Sequence, residues 1–167
     1  MAINPEDLGR PPVPAPEVAN PGVARPPLVY LGSILTGVVL DFLFPLPFLP
    51  RPISTPFGIA VILAAVVLLS VSLRQLRAAG TPVRGDQPTT AIVRTGPYRF
   101  SRNPIYLAFS LVQLGIAAWL NSLWVLATLG LAVILMSCVV IPREEQYLEG
   151  KFGAEYLEYK ACTRRWV

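Results

Sequence analysis

The sequence predicts an all-α integral membrane protein: four transmembrane helices, the last two a helical hairpin, with short amphipathic helices in a cytoplasmic tail. Three observations predict it. Apolar residues make up 53 % of the 167 and charged residues 14 %, against roughly 25 % charge in soluble domains; with a mean hydropathy of +0.54, the polar surface is too small to face water all round. The apolar residues gather into four runs of spanning or near-spanning length. Six arginines (Arg74, Arg77, Arg84, Arg94, Arg99 and Arg102) stand between the second and third runs against one acid, Asp86. That is the signature of a cytoplasmic loop; pinned between two apolar runs, the net charge of +4 points away from nucleic acid.

Residues 1–27 carry eight prolines and few large apolar side chains, so the expectation there is a disordered or polyproline-like tail. The first run, 28–44, is 17 residues, near the lower limit for a spanning helix. Pro45, Pro47 and Pro50 force a non-helical exit, close to Asp41, an acid that can reach the interface. The second run, 57–73, follows Pro56 and is free of charge until Arg74. The loop to Ser101 is punctuated by glycine and proline, and 89–93 can extend. The third run, 105–120, opens behind Asn103 and Pro104, a capping residue and a first-turn proline; Gln113 within it is read as an interhelical hydrogen-bond partner. Asn121 and Ser122 turn the chain into the fourth run, 123–141, which Pro142 kinks or ends. In 142–167, Tyr147, Leu148, Phe152, Tyr156 and Tyr159 recur at helical spacing with a break between Gly150 and Gly153, which predicts amphipathic helices on the membrane surface.

Four spans put both termini and the arginine-rich loop on one side, the cytoplasmic one. The polar ends of the hairpin meet there, and the functional site is expected at that meeting point. The chain has no histidine, which removes the commonest general base and metal ligand. Its two cysteines are too few for a cysteine metal site and too differently placed for a disulfide. Arg99, Arg102, Asn103, Tyr98 and Tyr106 each have an ordinary reading as helix anchors, cap or interfacial aromatics. Glu144 and Glu145 fit such a reading less well. They follow an apolar helix whose C-terminus favours cations, and Glu145 and Glu149 are like charges four apart. Something positive must offset them, either the arginines of the neighbouring helix or a cationic ligand.

The stretch G-P-Y-R-F-S-R-N-P-I-Y (96–106), an apolar hairpin, and E-E-Q-Y-L-E-G-K-F-G-A-E-Y-L-E-Y (144–159) together resemble the isoprenylcysteine carboxyl methyltransferase family and the related phospholipid methyltransferases. These are integral membrane enzymes that use S-adenosylmethionine, with a pattern of the form G-x-Y-x-x-x-R-H-P-x-Y and later E-E-x-x-L and F-G-x-x-Y-x-x-Y. The resemblance covers about half the chain. It implies a cytoplasmic S-adenosylmethionine pocket of Tyr98, Asn103, Tyr106, Glu144 and Glu145, with backbone groups at Ile92 and Val93 near the adenosine. Arg102 and Arg99 would face a lipid-like acceptor, expected to be the carboxylate of an isoprenylcysteine-type molecule. Asn103 stands where the pattern has histidine; an amide hydrogen-bonds but does not titrate. A phospholipid amine acceptor, and a non-catalytic membrane protein that retains the scaffold, are the alternatives.

Overall fold

A computed structural model describes residues 25–82 and 87–167. The expected tail at 1–27 lies outside them except for its last three residues, and Pro26 and Pro27 open the first helix. The described chain is all helical, without a strand: α1 (Pro26–Leu43), α2 (Arg51–Ala78), a 3-10 turn (Gly96–Arg99), α3 (Pro104–Leu120), α4 (Leu123–Leu135), a π-helical turn (Met136–Val140), α5 (Ile141–Phe152) and α6 (Ala154–Cys162). Pro26–Leu43, Arg51–Ala78 and the continuous helix Leu123–Phe152 are long and apolar enough to cross a membrane, and Pro104–Leu120 is a shorter apolar helix. Leu31, Leu35, Phe42, Leu63, Val67, Leu131 and Ile134 stand more than half exposed on their outer faces, the surface a bilayer covers.

α2 departs from expectation by starting six residues early, at Arg51 rather than Phe57. Pro52 sits in its first turn, where no N–H is needed. Pro56 removes one bond, to the Pro52 carbonyl, within the second turn. At 28 residues the helix is about 42 Å long, against a hydrocarbon core of about 30 Å. Its last turns therefore project out of the bilayer and carry Arg74 and Arg77.

Small residues set how closely the helices approach. A Cβ on Gly58 would lie 2.5 Å from Trp119 N and 2.6 Å from Gly115 O; one on Gly115 would lie 2.5 Å from Ile62 Cγ1. The backbones of α2 and α3 thus touch, the small-residue packing of membrane helices. Gly37 does the same for α1 against α4, where an added Cβ would meet Val125 Cα at 2.7 Å. Between these seams Gln113, wholly buried, accepts from Ser33 Oγ (2.7 Å) and donates to Val125 O (3.2 Å) and Thr128 Oγ1 (3.3 Å). One amide thereby joins α1, α3 and α4, the interhelical role expected of it.

At one end of the bundle Asn121, in left-handed backbone (φ 53°), turns α3 into α4. Its Oδ1 accepts from Phe48 N (3.0 Å) and Leu49 N (2.8 Å), and its Nδ2 donates to Leu49 O (2.8 Å). The proline-rich connection between α1 and α2, which cannot satisfy itself as helix, is closed by this side chain together with Trp124 Nε1, which donates to Phe44 O (2.8 Å), and Leu123 N, which donates to Leu46 O (2.9 Å). Among the described residues Asp41 takes only a long bond from Leu46 N, 3.5 Å, at an exposed turn.

The fourth apolar run does not end at Pro142. Helix continues through it into α5, and the chain accommodates the proline by widening into the π turn. There the Ile141 N–H bonds Met136 O instead of the Ser137 carbonyl. The next residue, Pro142, has no N–H. Ser137 O is left without a partner in its own helix, a point that matters below. The break between α5 and α6 falls at Gly153 (φ 53°), as the sequence predicts.

Candidate functional site

The other end of the bundle gathers the loop 87–95, the 3-10 turn, the start of α3, α5, α6 and the C-terminal strap 163–167. Arg102 N donates to Arg164 O (2.9 Å), and Ser101 pairs with Arg164 as an isolated bridge. Ser101 Oγ (3.3 Å) and Asn103 Nδ2 (3.0 Å) both donate to Arg165 O. Asn103 occupies the N-cap position of α3, but its side chain makes no capping bond; it holds the strap instead. Trp166 Nε1 reaches Ser137 Oγ (3.1 Å) and Arg165 Nη1 reaches the orphaned Ser137 O (3.4 Å). The strap therefore fastens the start of α3 to the π turn.

The paired acids are separated by this arrangement. Glu145 is buried and surrounded by cations. Arg165 forks onto it, Nε to Oε1 at 3.0 Å and Nη2 to Oε2 at 2.7 Å. Arg102 Nη1 lies 3.2 Å from Oε1 and Lys160 Nζ 3.8 Å from Oε2. Lys160 also bonds Glu149, so one ammonium offsets the like charges four apart. Glu144 faces the other way, toward α3, and accepts from the Tyr106 hydroxyl. Burial raises the Glu144 carboxyl to about 7; the Tyr106 bond works against that rise and the Glu145 charge adds to it. Tyr106 is held in turn by Tyr30, whose hydroxyl reaches Tyr106 O (3.3 Å) and Ser110 Oγ (2.8 Å).

Arg102 is the unusual member. Its side chain is 9 % exposed, yet Nε and Nη1 make no hydrogen bond among the described residues. The 3.2 Å approach to Glu145 is close enough for charge attraction but lacks hydrogen-bond alignment, so the two facts agree. A buried guanidinium with two unbonded donors is costly even beside an anion, because each donor has lost its water. Arg99 does not share this place. It is exposed and lines an open cleft with Arg94, Glu158, Tyr159, Cys162 and Thr163, while Arg94 pairs with Glu158 at 3.0 Å.

Tyr98 is buried and accepts at its carbonyl from Tyr159 Oη (2.7 Å); burial pushes both phenols well up. Ile92 and Val93 lie in irregular chain, Val93 buried, and no backbone hydrogen bond is found for either among the described residues. The chain thus brings Arg102, Asn103, Tyr106, Glu144 and Glu145 to one bundle end, with Arg99 turned out to a separate cleft. The strap, Arg165 above all, escaped the sequence reading because nothing in R-R-W-V marks a partner twenty residues upstream. Among the described residues no cluster of histidine, cysteine, aspartate and glutamate is placed to hold a metal.

Residues 53–155 match the family model described as phospholipid methyltransferase. An uncharacterised protein of Haemophilus influenzae is 42 % identical over 65 residues, 38 % of this chain and all of that protein. The cobalt-zinc-cadmium resistance protein CzcN of Cupriavidus metallidurans is 41 % identical over 72 residues, 43 % of this chain but only 33 % of CzcN. No solved structure matches. With more than half its length inside the family match and an apolar helical bundle to carry the site, the chain belongs to the phospholipid methyltransferase family and is an integral membrane protein.

Proposed function

We infer that the chain is an S-adenosylmethionine-dependent O-methyltransferase whose acceptor is a lipid-borne carboxylate of the isoprenylcysteine type, reaching the site sideways from the bilayer. α3 counts as the fourth span, and the site and both termini face the cytoplasm. The observation that carries the reading is the buried guanidinium of Arg102, whose Nε and Nη1 have no hydrogen-bond partner among the described residues. A planar guanidinium fork matches the two oxygens of a carboxylate. A carboxylate is already ionised at neutral pH, so no base is needed, in keeping with a chain that has no histidine.

The cofactor supplies a methyl group on a sulfonium cation, beside an ammonium. Glu144 fits that charge: it bonds only the neutral Tyr106 among the described residues, whereas Glu145 is already met by three cations. The peptide groups at Ile92 and Val93, without a backbone hydrogen bond among the described residues, suit a polar ligand edge. Arg102 would orient the acceptor so that one carboxylate oxygen forms the new bond to the methyl carbon as its bond to sulfur breaks; the acid becomes a neutral ester and the sulfonium departs as a neutral thioether. Alignment of the two reactants is the main catalytic contribution asked of the protein.

A phospholipid amine acceptor has one observation in its favour. Glu144, raised to about 7, can take a proton from an ammonium, which must lose one before it is nucleophilic. Labelled methyl transfer from S-adenosylmethionine to isoprenylcysteines, fatty acids and phosphatidylethanolamine decides between them. Ester product is expected, and product from phosphatidylethanolamine alone overturns the carboxylate reading. A scaffold without activity need not bind S-adenosylmethionine and transfers no label. The orientation has its own check: an impermeant thiol reagent labels Cys162 from the cytoplasmic side only, and labelling in right-side-out vesicles refutes it.

A further inference from the structure

Arg165 lies beyond the residues matched by the family, yet it holds the carboxylate nearest to Arg102. Three cations compete for Glu145, and they do not share it equally. Arg165 has the aligned fork, with both oxygens within 3.0 Å. Arg102 has proximity at 3.2 Å without a hydrogen bond. A fork fixes the plane of the carboxylate, and with that plane set by Arg165, Glu145 cannot at the same time fork onto Arg102 and keeps only the 3.2 Å charge contact with it. The position of Arg165 is set by independent contacts. Its carbonyl is held by Asn103 and Ser101, its Nη1 by the Ser137 carbonyl that the π turn frees, and the neighbouring Trp166 by Ser137 Oγ.

We propose that Arg165 is a positioning residue: by taking both oxygens of Glu145 in its fork it holds that carboxylate to a charge contact with Arg102 and leaves the buried Nε and Nη1 of Arg102 without a hydrogen-bond partner, so that the guanidinium is kept for the carboxylate of the acceptor. This rests on the carboxylate reading above. Without Arg165, Glu145 swings into the fork with Arg102 and acts as an internal competitor for the acceptor. Neutralising Glu145 as well removes the competitor. The two substitutions are therefore expected to be non-additive, with the double variant better than the single one. A merely structural role for Arg165 predicts the reverse.

The test uses the full chain in lipid nanodiscs, with N-acetyl-S-farnesylcysteine as the carboxylate probe. Probe affinity, acceptor KM, kcat and S-adenosylmethionine affinity are measured for wild type, Arg165→Gln, Arg165→Lys and Glu145→Gln/Arg165→Gln. Arg165→Gln is expected to weaken probe binding and raise acceptor KM about tenfold, the size of one lost charge-assisted contact, with cofactor affinity close to wild type. Arg165→Lys falls between, because an ammonium is a point charge and does not fix a carboxylate plane. The double variant recovers most of the probe affinity. If wild type binds no carboxylate probe, the acceptor reading fails and this inference with it. If wild type binds and Arg165→Gln binds equally well, the inference alone fails. Equal loss of probe and cofactor binding in Arg165→Gln, or a double variant no better than the single, likewise overturns it.

Discussion

The two ends of this bundle solve the same problem in opposite ways. At the Asn121 end a proline-rich connection leaves backbone groups unpaired, and neutral donors and acceptors meet them: the Asn121 amide with three hydrogen bonds, Trp124 Nε1 on Phe44 O and Leu123 N on Leu46 O. At the other end the polar groups are charged, numerous and unevenly satisfied. Glu145 has more partners than it needs, while Arg102 is buried with idle donors. A closed end holds the fold; the end with a buried guanidinium whose donors are unbonded carries the proposed acceptor site. Substitutions at the two ends should therefore separate stability from function.

The largest effect expected is at Arg102. Arg102→Lys keeps the charge but loses the fork, and kcat/KM for a carboxylate acceptor should fall on the order of a hundredfold with cofactor affinity near wild type. Steady-state kinetics beside cofactor titration shows it; a silent substitution would reduce Arg102 to a helix anchor. Next is Glu144→Gln, which should weaken S-adenosylmethionine about ten- to a hundredfold by calorimetry. The same carboxyl sets a pH signature. With its pKa near 7, Glu144 is protonated below that pH and no longer holds a cation, so cofactor affinity should fall as pH drops through 7. Stability runs the other way. A carboxyl raised from 4.5 in the folded chain favours folding fully below its unfolded value, and that contribution is lost as pH rises through about 7. Glu144→Gln should flatten both profiles.

At the seams and the closed end the effects fall on stability. Gly58→Ala pushes a methyl into the α3 backbone, and overpacking of this kind costs about 1–3 kcal/mol, to be read as a lower melting midpoint in detergent. Asn121→Ala strands the Phe48 and Leu49 amides and should cost about 1–2 kcal/mol, with kcat/KM per folded molecule unchanged. If Asn121→Ala altered cofactor affinity without lowering the midpoint, the contrast between the two ends would not stand.

What could be read in the sequence follows from the range of the forces involved. The apolar runs, the tail break at Gly153 and the polar meeting point are local or compositional, and they were legible. So was the offset demanded by Glu145, though not its source: Arg102 lies at the start of α3 as expected, while Arg165 and Lys160 reach it only through the strap and α6. The expectation that Pro142 kinks or ends the helix weighed the missing N–H but not the π turn that absorbs it. The extra length of α2 was hidden by Pro56, which reads as a boundary and is tolerated inside the helix. The split between Glu144 and Glu145 depends on helix phase, and spacing does not set phase once the helix departs from 3.6 residues per turn.

That departure has a consequence for how the site is indexed. Each residue added to a helix turns everything after it by about 100°. The π turn at Met136–Val140 is such an addition, and it sits between the membrane part of the helix and the acids. It acts as a phase shifter: the apolar face upstream stays registered against α1 and α3, while downstream Glu144 is aimed at Tyr106 and Glu145 at the strap. Removing one residue from 136–140 would leave composition and span length almost unchanged, yet rotate the acid pair by roughly a quarter turn and deprive the strap of the Ser137 carbonyl that anchors it.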